Sequence, residues 1–127
     1  MFKILIVENC KFWVDYFKLG MENRAVALDI CWVCSGEKAL ELLASEASFD
    51  VILMNLEMPK GMDGIETTMK IRAMGKRLPI IAWTSHLASY KKQACYEAGM
   101  NDYVERDGTS MIKDIFLALQ RCGMVKK

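Results

Sequence analysis

The apolar run Val51-Ile-Leu-Met54 ends on Asn55, and Leu56-Glu-Met-Pro59 and two glycines follow within ten residues. Residues 50–55 read as a strand buried on both faces. In open α/β sheets the carboxyl ends of strands are where ligands and chemistry sit. A carboxylate at position 55 could act as a nucleophile. The amide of Asn55 cannot, because its nitrogen lone pair is delocalised and its oxygen carries no full charge. Other strand ends should supply Glu8 and Asn9, Thr84 and Ser85, and Arg106. A carboxylate, two amides, two hydroxyls and a guanidinium are therefore expected on one rim. A small hydrolase using Glu8 with Thr84 or Ser85 is one use of that set, but it lacks a histidine base at a credible position and an evident cleft.

The elements that must position these residues alternate in type. Strands are predicted at 2–7, 26–33, 50–55, 79–84 and 102–104. Helices are predicted at 10–23, from the Ser35 cap to Ala47, from Gly64 to Met74, at 88–98 and at 109–121. The third helix carries Ile65, Met69 and Ala73 at four-residue spacing. The last carries Ile112, Ile115, Phe116 and Leu119 as a stripe. Pro79 opens its strand, where a lost donor is tolerated, and Gly99 stops the fourth helix. Five βα units predict an α/β doubly wound parallel sheet wrapped by helices on both faces.

All 127 residues fit one domain, 1–127. With 17 basic against 16 acidic side chains, nothing favours nucleic acid or a membrane surface. The N-terminus lacks signal-peptide features, and no apolar run approaches the ~18 residues of a membrane span. A soluble cytoplasmic protein is expected. Five cysteines suit reduced thiols. Cys31 and Cys34, three apart in a strand pattern, should face opposite sides and not share a metal.

The first helix has a wide apolar arc, with Trp13, Tyr16, Phe17 and Gly20 in one stripe and Phe12, Tyr16 and Leu19 in a second. Either a partner or dimer surface, or aromatics folded over the helix ends, accounts for it. Trp83 and Trp32 sit in strand patterns and are expected in the core. His86, the only histidine, reads as an ordinary loop residue.

Three segments carry a family resemblance. Val51-Ile-Leu-Met-Asn-Leu-Glu-Met-Pro59 with Met62-Asp-Gly64 resembles the phosphoacceptor strand and loop of two-component receiver domains. Pro79-Ile-Ile-Ala-Trp-Thr-Ser-His-Leu87 resembles their fourth strand with its signalling hydroxyl, in a wording similar to receivers of hybrid histidine kinases. Ala98-Gly-Met-Asn-Asp-Tyr103 resembles the lead into their fifth strand and switch aromatic. The resemblance spans essentially the whole chain and implies a flavodoxin-like (β/α)5 fold with strand order 2-1-3-4-5. It also implies a pocket of Glu8, Asn9, Asn55, Thr84 and Arg106. Tyr103, Tyr90 and Ala94 would lie on an output or dimer face.

The departures are as informative as the matches. The resemblance implies an aspartate at 55, an acidic pair at 8 and 9 and a lysine at 106, where this chain has Asn55, Glu8-Asn9 and Arg106. That lowers the formal charge of the pocket from −2 to 0, so Mg²⁺ binding should be weak or absent and no other cofactor is expected. Arg106 could pair with Glu8 as a permanent contact or point to solvent. Lys60-Gly61 lengthens the loop by one residue against the common pattern. Asp107 replaces a proline, which predicts an ordinary trans link at 106–107. The expected function is a phosphorylation-independent pseudo-receiver, not an enzyme. Its partners would be proteins of a signalling pathway, such as a histidine kinase or a second copy. The alternative is a phosphoaccepting receiver in which Asn55 is an engineered substitution.

Overall fold

The computed structural model describes residues 1–85, 90–106 and 110–125. Strands β1 (Phe2–Val7), β2 (Leu28–Val33), β3 (Val51–Met54), β4 (Ile80–Thr84) and β5 (Asp102–Glu105) alternate with helices α1 (Lys11–Glu22), α2 (Gly36–Ala44), α3 (Gly64–Ala73), α4 (Lys92–Ala98) and α5 (Met111–Arg121). All strand pairings are parallel and the order is β2-β1-β3-β4-β5, the expected doubly wound α/β sheet.

Successive side chains of a strand face opposite ways, so each central strand feeds two cores. On one face Ile4, Ile6, Leu53 and Trp83 pack with Phe17 of α1 and Ile115 of α5. On the other, Leu5, Val7, Ile52 and Met54 pack with Leu43 of α2 and Ile71 of α3. Burial on both faces is why β3 and β4 have no polar alternation. Helix ends follow local chemistry. Ser35 Oγ accepts from Lys38 N at 3.1 Å, and Asp63 Oδ1 accepts from Glu66 N at 2.8 Å. Gly99, with φ of 114°, ends α4 in the left-handed region.

Several expectations need correction. The buried residues of α3 are Gly64, Thr67, Thr68 and Ile71, while Met69 is exposed. The threonines can face the core because their hydroxyls donate to the Asp63 and Gly64 carbonyls within the helix, leaving only methyls to pack. Trp32 is partly exposed, because β2 is an edge strand. Trp83 is fully buried. The cysteines at 10, 31, 34, 95 and 122 are free thiols; Cys34 is exposed and Cys31 packs against the second core. The expected starts of the fourth and fifth helices at 88 and 109, His86 and the 106–107 peptide lie outside the described residues.

The sheet ladder continues one residue past three strands. Glu8 N donates to Val33 O at 3.1 Å, Asn55 N to Val7 O at 3.0 Å and Arg106 N to Thr84 O at 2.8 Å. The backbones that carry the rim residues are thus held by the sheet itself. The first turn of α3 presses on the same place, since a Cβ at Gly64 would sit 2.3 Å from the Asn55 carbonyl oxygen.

Candidate functional site

Glu8, Asn55 and Thr84 are buried where β1, β3 and β4 end, and Asn9 lies at the exposed lip. Asn55 is the hub. Its Nδ2 donates to Asn9 Oδ1 at 3.1 Å and to the Glu57 carbonyl at 3.0 Å, with a longer contact of 3.5 Å to Glu8 Oε2. Its Oδ1 accepts from Thr84 Oγ1 at 3.3 Å and from Glu57 N at 3.4 Å. Every neighbour is matched in this orientation: oxygens meet the NH₂ and donors meet the carbonyl.

Arg106 reaches back into the pocket and pairs with Glu8, with only 6% of its side chain exposed against 1% for Glu8. The other Glu8 oxygen accepts from Cys10 N at 2.9 Å. The guanidinium also lies over two indoles, its Cζ 4.6 Å from the Trp13 ring centre and 4.3 Å from that of Trp83. Arginine is the cation suited to this position, being planar, forked and more weakly hydrated than lysine. Burial pulls its pKa down, and the Glu8 carboxylate opposes that shift. Its Nε has no hydrogen-bond partner among the described residues.

A hard divalent cation would need the same oxygens that surround Asn55 Nδ2. Here an amide nitrogen faces them and the guanidinium occupies Glu8, so the donor set does not fit Mg²⁺. Among the described residues no three His, Cys, Asp or Glu side chains cluster as candidate metal ligands.

The other face expected to matter lies beyond Thr84. Tyr103 in β5 is half-buried; its hydroxyl is buried without a partner among the described residues, and Lys92 Nζ lies 5.7 Å from its ring centre. Burial, reinforced by nearby acidic groups, pushes the phenol up to about 12. Tyr90 is exposed and Ala94 half-buried. A cleft of about 330 Å³ runs between α4, β5 and α5, lined by Lys92, Tyr103, Glu105, Ser110, Asp114 and Arg121 among others.

Four site features carried no signal in the residue pattern. The Glu57 carbonyl and the Cys10 amide act through backbone, which no residue type announces. Trp32 Nε1 donates to the Glu8 carbonyl at 2.6 Å across 24 residues of sequence. The lengthened loop is tied down by Glu37, whose Oε2 accepts from Met62 N at 3.1 Å.

The family model described as response regulator receiver domain matches residues 4–114. The chain is 33% identical over 89 residues to two-component response regulator 24 of Arabidopsis thaliana, covering 70% of this chain and 58% of that protein. It is 38% identical over 91 residues to the sensor histidine kinase GacS of Pseudomonas protegens, covering 68% of this chain and 9% of the kinase. It therefore spans little more than half of the first relative and a small part of the second. A solved receiver domain of the sensor histidine kinase PA1611 from Pseudomonas aeruginosa, described with magnesium coordinated in its active-site cleft, has a TM-score of 0.77. It is 29% identical, over 94% of each chain. The receiver domain of the Francisella response regulator 1452 shares the fold with a TM-score of 0.80 at 21% identity over 96% of each chain.

Proposed function

The chain belongs to the response regulator receiver domain family of two-component signalling, and from that premise we propose that it is a phosphorylation-independent pseudo-receiver. It signals by binding proteins and transfers no phosphoryl group. The observation that carries this is the hydrogen-bonded hub at Asn55. Phosphoryl transfer needs an oxygen nucleophile and positive charge on the migrating group. Asn55 offers no such nucleophile, and Arg106, the one buried cation beside it among the described residues, is already committed to Glu8. With Asn9 in place of a second acid, the pocket has little means of recruiting a metal to compensate.

The Arg106–Glu8 pair also stands where a phosphoryl-dependent contact would otherwise form, which favours one fixed arrangement of Thr84 and Tyr103. Partner binding then falls to the α4–β5–α5 side, where Tyr103 lines a cleft that carries both charge signs, Lys92 and Arg121 against Glu105 and Asp114; exposed Tyr90 and half-buried Ala94 are proposed to belong to the same face. None of those residues needs a phosphorylated neighbour to make contacts. A histidine kinase or another pathway protein is the proposed partner. The cytoplasm is the proposed site of action, and no described helix is long and apolar enough to cross a membrane.

Incubation with acetyl phosphate and Mg²⁺, read by intact mass, should leave the protein unmodified. A phosphoryl adduct on the unaltered chain overturns the proposal. Asn55→Asp alone should also stay unmodified, because Arg106 still holds Glu8; efficient labelling of that variant would mean the rest of the pocket is competent.

A further inference from the structure

Helix α1 turns two stripes away from the core. Phe12, Tyr16 and Leu19 form one, with Phe12 60% and Leu19 66% exposed. Lys11, Asp15, Lys18 and Glu22 form the other, all exposed. At 3.6 residues per turn each set falls within an arc of about 60°, and the charged stripe flanks the apolar one. The Phe12, Trp13 and Tyr16 rings already touch one another, with centroids 5.1 to 6.0 Å apart, so the patch presents a firm surface.

The charges read plus, minus, plus, minus along the helix. Read backwards, that string is its own complement. A two-fold axis near Tyr16 would bring Lys11 against Glu22 and Asp15 against Lys18 of a second copy, with Phe12 beside the other copy's Leu19. In a parallel two-fold pairing the two charged stripes would lie on opposite sides of the apolar seam and would not meet. We propose that the exposed α1 face is an isologous dimer surface, occupied by α1 of a second copy of this chain running antiparallel. An unrelated partner helix would have no need of a self-complementary string, which is what singles out a second copy. The apolar stripe supplies the driving force, and the charges set direction and register.

A helix of 12 residues offers a face about 18 Å long, at the small end of specific interfaces, so the dimer should form reversibly with concentration. The inference does not rest on Asn55 or on the Arg106 pair, and its outcome is independent of any phosphorylation assay.

Sedimentation equilibrium over a range of protein concentrations should show a monomer–dimer equilibrium. Leu19→Glu should abolish it. Lys18→Glu should weaken it about fivefold by placing Asp15 opposite a like charge, and Asp15→Lys combined with Lys18→Glu should return it to about the original strength. All three variants alter exposed positions, and circular dichroism verifies that they fold. A monomer at every concentration overturns the proposal, as does a dimer that survives Leu19→Glu. Failure of the double exchange to restore association overturns the antiparallel register.

Discussion

Arg106 holds its place by three side-chain contacts of two kinds: an ion pair with Glu8 and the faces of Trp13 and Trp83. Removing it would leave a buried carboxylate with little beyond the Cys10 amide and the Asn55 NH₂ for company. Arg106→Ala should therefore cost about 3–5 kcal/mol in urea unfolding, the usual penalty for stranding one member of a buried pair. Arg106→Lys should cost less but change tryptophan emission, since an ammonium cannot lie flat against two indoles. At Tyr103 the direction is set by protonation. Its phenol is held near 12 in the fold against about 10 in an unfolded chain. The folded state keeps its proton while the unfolded state loses it, so the contribution is complete below pH 10 and disappears between about 10 and 12. Tyr103→Phe should remove that alkaline loss in unfolding titrations. Near pH 7 it should change stability by no more than about 1 kcal/mol, because the hydroxyl it deletes has no partner among the described residues.

Among elements, the junction of α3 with the end of α4 depends on one arginine. Arg72 donates to the Gly99, Lys76 and Leu78 carbonyls and to Asn101 Oδ1, at 2.8 to 3.1 Å. It thereby ties the loop before β4 to the loop before β5. Arg72→Lys should lower stability by about 1–3 kcal/mol in urea unfolding, because a single ammonium cannot satisfy acceptors spread around a planar fork. Alternation of apolar runs with amphipathic stretches was enough to foresee five strands, five helices and their order. It also placed Glu8, Asn9, Asn55, Thr84 and Arg106 at one rim, because each follows or ends a strand. Thr67 and Thr68 escaped that logic, since a hydroxyl satisfied by its own helix behaves as an apolar surface. Trp32 escaped it for a different reason: edge or centre is a property of strand order, which one strand's pattern does not contain. The roles of the Glu57 carbonyl and of Arg72 depend on where loops converge, and hydrophobic periodicity does not describe loops.

For the molecule as a whole, metal linkage separates a receptive pocket from a satisfied one. A ligand that binds only the folded state raises its stability by RT ln(1 + [L]/Kd), so the gain grows with the logarithm of ligand concentration once that exceeds Kd. With amide and guanidinium groups already on the pocket oxygens, millimolar Mg²⁺ should leave Tm unchanged. The paired exchange Asn55→Asp with Arg106→Lys should make Tm depend on Mg²⁺, as differential scanning fluorimetry would reveal. A clear Mg²⁺-induced rise in the unaltered protein would contradict the donor arrangement around Asn55. The ladder bonds from residues 8, 55 and 106 have a wider meaning. They are made by peptide groups, so the scaffold beneath the rim is indifferent to which side chains it displays. Provided charges are exchanged in compensating sets, such a frame lets a lineage give up a reaction and keep a handshake, or recover the reaction later, without ever having to reinvent the fold.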